Sequence, residues 1–322
     1  DVRDEIMNVS VRGRVLVADT IAAAGVEKLR QAVGVDVRTN IDARELLKVI
    51  GDYRGLVVRS RTKVMAEVVA AATKLDVVGR AGVGVDNIDL EACKRHGITV
   101  VNSPMAASVA VAELTLAFML CLARRVPFAD TRMKQGEWPK KQLKGVELDG
   151  KTLGLIAVGR IGSEVARRAI AFGMRVIAYD PYLSADEMRV RKVEPATLET
   201  VLSAVDYISV HTPLTDETHH MINAAAIDAM RDGVRILCAA RGGVIDEAAL
   251  LAGLESGKVA GAALDVFESE PPGASALVKH PHVITTAHIG AQTREAQDRA
   301  GVDVAAEVIS ALSGAELRWK VV

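Results

Sequence analysis

Three segments in the later part of this 322-residue chain place polar side chains where a buried core would not choose them. Arg241 follows an apolar run and precedes Gly242 and Gly243. Glycines thin the backbone so that a ligand can approach, and a guanidinium placed there can hold a carboxylate through two parallel hydrogen bonds. A surface arginine paired with Asp246 or Glu247 would give the same pattern. The stretch from Leu264 to Pro272 carries an apolar strand into the carboxylates Asp265, Glu268 and Glu270. His288 follows Thr285, Thr286 and Ala287, and a lone histidine after an apolar strand serves either as a structural side chain or as an acid–base group. His211, at the end of another apolar run, is its rival.

A fourth segment points to nucleotide chemistry. Ala157, Gly159, Arg160, Ile161 and Gly162 reproduce a G-x-G-x-x-G loop with alanine at the first position. In that loop the first glycine makes a tight turn, the second lets backbone approach a pyrophosphate, and the third lets helix pack on strand. If Ala157 needs a positive φ, its Cβ costs roughly 1–2 kcal/mol. The flanks agree: Thr152 to Val158 is apolar, while Ile161, Val165, Arg168 and Phe172 fall at helical spacing. Gly173 suits a helix end, and Met174 to Tyr179 suits a buried parallel strand. Asp180 then stands where a carboxylate would meet ribose hydroxyls and repel a 2′-phosphate, which favours NAD over NADP.

The elements that must position these groups alternate between short β-rich runs and helical patterns, as in α/β proteins with parallel sheets. Two series emerge. The first has strands at 14–18, 35–38, 55–59, 76–79 and 98–101; the second at 152–158, 174–179, 206–210, 234–239, 259–264 and 282–286. A long helix, Ser108 to Arg124, lies between them. The stretch 126–150 is too long for a simple connection and keeps Phe128, Met133, Trp138 and Leu143 to bury, so it reads as an arm that packs on a second subunit. A last helix, Thr293 to Leu312, has an apolar stripe and could return to either domain.

Composition narrows the partners. A formal net charge of −1 and a pI near 6.7 offer no overall attraction for nucleic acid or an anionic membrane. Cys93, Cys121 and Cys238 are scattered and odd in number, so they read as reduced core thiols of a cytoplasmic protein rather than as disulfides or a metal site. Asp1, Arg3, Asp4 and Glu5 leave no apolar core for a signal peptide, and the apolar run 109–123 is too short to span a membrane and carries Glu113. His219 and His220 are adjacent, do not share a helix face, and suggest no metal.

Several long motifs, in order, cover nearly the whole chain: Val57 to Thr62, Gly79 to Asp89, Gly150 to Gly162, Val210 to Thr215, Arg241 to Leu250 and Ala260 to Pro272. With these the chain resembles the D-isomer-specific 2-hydroxyacid dehydrogenases. The resemblance implies two doubly wound parallel-sheet domains, one a Rossmann dinucleotide-binding domain and the other flavodoxin-like. It places the substrate domain at 1–101 and 289–322, and the NAD domain at 102–288. It implies that Arg241 binds the substrate carboxylate, that His288 exchanges the hydroxyl proton, and that Glu270, which directly precedes the proline pair, rather than Glu268, orients His288 and favours its imidazolium form. Hydride leaves an alcohol carbon more easily as the hydroxyl proton departs, so a base is needed. Asp265 would lie near the nicotinamide, Asp180 would hold the ribose, and Thr212 and Pro213 would border the cofactor. Arg59, Ser60, Arg61, Arg80, Gly82 and Val83 would face an anionic substrate, and a phosphate dianion would exploit the arginines best. The implied reaction is NAD-dependent oxidation of 3-phospho-D-glycerate to 3-phosphohydroxypyruvate, on the route to serine, by a homodimer or homotetramer.

The chain also departs from the family pattern. Ala106 and Ala107 stand where Gly-Asn is common, Cys238 where Asn is common, Ala287 for a proline before the histidine, and Lys140 where the arm often supplies arginine. Two alternatives therefore accompany the main expectation: a glyoxylate or hydroxypyruvate reductase, and a catalytically impaired protein that senses NAD(H). Because the sequence stops soon after the last helix, no C-terminal regulatory module, and hence no serine feedback, is expected.

Overall fold

The computed structural model describes residues 12–322, so the reading of Asp1, Arg3, Asp4 and Glu5 lies outside the described residues. Two compact units emerge, Asp1–Ala107 with Ala291–Val322, and Ser108–Gly290.

In the first unit β1 (Arg14–Val17), β2 (Gly34–Val37), β3 (Gly55–Val58), β4 (Val77–Arg80) and β5 (Thr99–Asn102) form a parallel sheet in the order β2-β1-β3-β4-β5. This is the flavodoxin-like order. Strand alternation builds a core on each face. Val15, Val17, Val57, Val77 and Val101 pack with Val304 and Val308 of the helix Arg294–Ser313. Leu16, Leu56, Val58, Val78 and Val100 pack on the other side with Leu46, Ile50 and Val68. Burial on both faces explains the nearly continuous apolar runs of these strands. The last helix returns to this unit, where it meets the helix Ala23–Arg30 at a glycine pair: a Cβ on Gly25 would run into the carbonyl of Gly301.

The second unit holds β6 (Thr152–Ile156), β7 (Arg175–Tyr179), β8 (Glu194–Pro195), β9 (Tyr207–Val210), β10 (Val234–Cys238), β11 (Val259–Leu264) and β12 (Val283–Thr285). All pair in parallel, in the order β12-β11-β10-β9-β6-β7-β8. Order reverses between β6 and β9, and ligands of such sheets bind outside the carboxyl ends at that switch point. The helix Ser108–Arg124 begins and ends where its pattern indicated. It buries Ala112, Leu116, Met119 and Ala123 with Leu153, Leu155 and Val165.

Three differences from the sequence reading have local causes. The strand β8 was not expected, because two residues that include a proline on a sheet edge leave no apolar run to read. The stretch after Arg124 begins as a helix, Val126–Lys134, set off from its predecessor by Arg125 at φ 54° and started by Pro127. The unit boundaries lie at 107/108 and 290/291 rather than 101/102 and 288/289. Ser103 donates to Gly82 O and Ala300 O, and Arg299 donates to Ala106 O, which ties 102–107 to the first unit. Ile289 and Gly290 donate to Asp265, which ties them to the second.

The Gly25–Gly301 crossing generates a stability prediction. Gly25→Ala should destabilise the protein by about 1–3 kcal/mol, because the added Cβ meets backbone that cannot rotate away. Thermal unfolding followed by circular dichroism measures this, and an unchanged midpoint would contradict the packing described.

Candidate active site

At the end of β6 the chain turns through Ala157, whose φ of 73° makes it a non-glycine residue in the left-handed region. Its N–H donates to Tyr179 O at 2.8 Å, so the loop is pinned to the end of β7. Asp180 completes the clamp: one carboxylate oxygen accepts from Val158 N and the other from Tyr182 N, both at 2.9 Å. The helix Arg160–Ala171 then starts at Gly159 with no side-chain cap, which leaves amide donors of its first turn for an anion. A Cβ on Gly159 would meet nothing within 4 Å, whereas one on Gly162 would lie 2.5 Å from Ala157 O. The second glycine therefore borders open space and the third permits close packing, the division of labour a pyrophosphate loop needs. Arg160 is exposed at the helix start, and Ile161 packs partly against the core.

Beside this loop, β9 delivers His211, Thr212 and Pro213. His211 Nδ1 and Thr212 Oγ1 are buried and make no hydrogen bond among the described residues. Unpaired buried polar atoms are uncommon and take their partner from a bound water, ion or ligand. The open cradle at Gly159, these two atoms and Asp180 fit a dinucleotide. His211 Nε2 bonds Ser209 Oγ at 2.9 Å. Burial pushes its imidazole down to about 4, although the residue as a whole keeps some exposure.

Toward the β12 edge of the sheet a pair of loops brings the catalytic candidates together. His288 Nδ1 lies 2.8 Å from Glu270 Oε2. A carboxylate only accepts, so Nδ1 is the donor in this contact and Nε2 is the ring nitrogen left to face a substrate hydroxyl. Glu270 is held in turn by Phe267 N on Oε1 at 3.2 Å. His288 has φ 51°, and the turn that imposes this conformation is built on Asp265, 1% exposed. The Asp265 carboxylate accepts from Thr286 Oγ1 at 2.6 Å, Ile289 N at 2.7 Å and Gly290 N at 2.8 Å. Its main-chain oxygen accepts from His288 N at 2.9 Å. Asp265 was expected beside the nicotinamide; its visible work is to hold the turn that presents His288.

Arg241 leaves β10 on the strand next to Asp265, with Nη1 bonded to Ala240 O at 2.6 Å. The following Gly242 lies flat on the Phe267–Glu268 backbone, where any Cβ would strike Phe267 O. The Arg241 loop and the Glu270 loop are thus packed as one layer. Asp246 caps the helix Glu247–Glu255, and Glu247 accepts from Glu268 N at 2.7 Å. Glu268, the rival of Glu270, bonds His220 Nε2 at 3.0 Å instead. Cys238 is buried, donates weakly to Arg241 O at 3.6 Å, and has its thiol pushed up by burial. Ala287, with Phe267, Glu270, Pro271 and Pro272, lines a cavity of about 410 Å³ against the dyad. Among the described residues no group of three or more His, Cys, Asp or Glu is placed to hold a metal ion.

In the first unit the substrate-facing candidates occupy two loops after β3 and β4. Arg59, Ser60 and Arg61 lie on one, Gly82 and Val83 lie on the other, and Arg80 closes β4 just before it. Sequence reasoning missed what shapes them. Asp19 binds the first loop, Asn87 Nδ2 donates to Arg59 O and Thr62 O, and Asn102 Nδ2 donates to Val83 O. The available signal was that Asp19, like Asp180, is a carboxylate just past an apolar strand. Ala106 and Ala107 are both buried in this unit.

Comparison with known proteins agrees with this geometry. The family model for the NAD binding domain of D-isomer specific 2-hydroxyacid dehydrogenases matches residues 116–290. A human protein named D-3-phosphoglycerate dehydrogenase is 46% identical over 306 residues, 94% of this chain and 57% of its own length. A protein of that name from Methanocaldococcus jannaschii is 47% identical, again over 94% of this chain and 58% of its own length. The chain thus spans little more than half of these relatives. Among solved structures, the TT0316 protein of Thermus thermophilus superposes with a TM-score of 0.87 at 37% identity, covering 96% of this chain and all of the other. A glyoxylate reductase from Paecilomyes thermophila superposes with a TM-score of 0.88 at 31% identity, covering 96% and 98%.

The two histidines make opposite predictions. His211 is neutral when folded and binds a proton when unfolded below its ordinary 6.5, so its burial weakens stability as pH falls from about 6.5 to about 4. His211→Gln should flatten that slope in denaturant titrations and leave the shape of the pH–rate profile in place. His288→Asn should instead cut kcat by about 10²–10⁴-fold. A pH–rate profile whose shape changes with His211 would reverse the assignment.

Proposed function

Since the chain belongs to the D-isomer specific 2-hydroxyacid dehydrogenase family, we propose that it oxidises 3-phospho-D-glycerate to 3-phosphohydroxypyruvate, using NAD. The observation that carries this reading is the His288–Glu270 hydrogen bond beside the Arg241 loop, at the carboxyl edge of the NAD-binding sheet. NAD, when bound at the Gly159 cradle, supplies the acceptor for the substrate hydride. Arg241 holds the substrate carboxylate and so orients the hydroxyl carbon. His288 Nε2 takes the hydroxyl proton, and Glu270, on the other ring nitrogen, balances the imidazolium that forms. In the reverse direction the same imidazolium protonates the developing alkoxide. Asp180 sets the preference for NAD over NADP by repelling a 2′-phosphate.

The phosphorylated substrate is supported by the names of the relatives at 46% and 47% identity and by the arginines just past β3 and at the end of β4. A glyoxylate or hydroxypyruvate reductase is the second reading, favoured by the 31% identical glyoxylate reductase structure. Cytoplasmic location accords with three free cysteines; among the described residues no helix is long and apolar enough to cross a membrane. Homodimer formation through 126–150 is supported by Trp138, 76% exposed, and by exposed Val126 and Met133 on the same stretch.

Steady-state NADH production with 3-phospho-D-glycerate should exceed that with glycolate, D-glycerate and D-lactate. A preference for an unphosphorylated acid would favour the reductase, and tight NADH binding without turnover of any 2-keto acid would favour a sensor. In light scattering the protein should have at least twice the 34.2 kDa chain mass; a monomer would refute the dimer.

A further inference from the structure

The loop Arg59–Thr62 carries two arginines that look equivalent in sequence, and the structure treats them differently. Asp19, 2% exposed, sits beneath the loop. One of its oxygens accepts from Arg59 N at 2.6 Å and Thr62 N at 3.1 Å; the other accepts from Thr62 Oγ1 at 2.6 Å and pairs with Arg61 Nη2 at 2.9 Å. Arg61 is committed further, with Nη2 donating to Ala18 O at 2.6 Å and Nη1 to Ile41 O at 3.1 Å. Asn87 holds the loop from its other side through Arg59 O and Thr62 O, at 2.7 and 2.6 Å. Arg59, by comparison, makes one long contact from Nη1 to Thr20 O at 3.5 Å.

We propose that Asp19 and Arg61 are a positioning pair, with Arg61 neutralising a buried carboxylate that moulds the loop while Arg59 and Ser60 read the distal anion of the substrate. The proposal rests on the phosphorylated-substrate reading above. Its physical basis is that a buried carboxylate needs both hydrogen bonds and a counter-charge. Asp19 obtains three donors from the loop it shapes and its counter-charge from the same loop. Loop geometry and charge balance are therefore one requirement, and Arg61 cannot turn to a substrate phosphate without leaving Asp19 unpaired.

The test uses the full chain and separates field from geometry. If Arg61 bound phosphate directly, Asp19→Asn would remove a nearby negative charge, release the guanidinium, and lower KM for 3-phospho-D-glycerate. As a positioning residue, Asp19→Asn should raise that KM by about tenfold. kcat, NADH affinity by fluorescence and KM for D-glycerate should each stay within about threefold. Arg61→Met should act in the same direction. The double variant should lose less than the two single losses combined, because the carboxylate no longer needs a counter-charge. Should Asp19→Asn fail to fold, Thr62→Val removes a single bond to Asp19 and carries the same expected KM rise. A lowered or unchanged KM, or strictly additive losses, would overturn the pairing alone. If the unaltered chain turns over D-glycerate but not 3-phospho-D-glycerate, the substrate reading falls and the proposal with it.

Discussion

Carboxylates placed just past the ends of parallel strands, and satisfied by amides of the loops they touch, are the interaction on which the candidate loops of each unit depend. Asp19 follows β1, Asp180 follows β7 and Asp265 follows β11. Each accepts from two backbone N–H groups: Asp19 and Asp265 from one loop each, Asp180 from the loop after β6 and from its own. Parallel strands all end on one edge, so the loops there must find hydrogen-bond partners outside the sheet ladder. A short acidic side chain at the strand end supplies two acceptor atoms without adding bulk. Burying that charge is costly unless it is paired, and the loop amides and hydroxyls provide the pairing.

Around these anchors the backbone adopts conformations that a free chain avoids. Ala157 and His288 have positive φ, states that cost of order 1–3 kcal/mol each unless the surroundings impose them. At Ala157 the surroundings are Tyr179 O, Asp180 and the close approach of Gly162. At His288 they are the Asp265 carboxylate and carbonyl together with Glu270. Two of the five described non-glycine residues with positive φ therefore lie at the candidate nucleotide loop and at the candidate proton acceptor. Rigidity at those points gives a proton acceptor a fixed direction, which is what general-base chemistry requires of it.

Much of the architecture was legible in the chain because parallel strands buried on both faces leave long apolar runs, and because helical spacing is hard to imitate over seventeen residues. Features without such a signal were not legible. β8 is two residues long and earns its place only by lying beside β7. The domain edges moved by a few residues because single hydrogen bonds, such as Ser103 to Ala300 O and Gly290 to Asp265, decide which unit a connecting residue joins. The preference for Glu270 over Glu268 came from resemblance. Its physical warrant is tertiary, since one acid reaches His288 and the other reaches His220.

By itself the sequence determined two parallel α/β sheets, a nucleotide loop with alanine at its first position, and the side-chain types that 2-hydroxy acid chemistry needs. Those properties are carried by local periodicity and by residue identity, which a linear string records. Only the tertiary structure decided which donors each carboxylate meets. It made Asp265 the anchor of the His288 turn, gave Asp19 the guanidinium of Arg61 rather than that of Arg59, and revealed Asp19 and Asn87. Such distinctions depend on which donors meet a buried carboxylate after residues as far apart as 19 and 62 are brought together, and no spacing along the chain encodes that meeting.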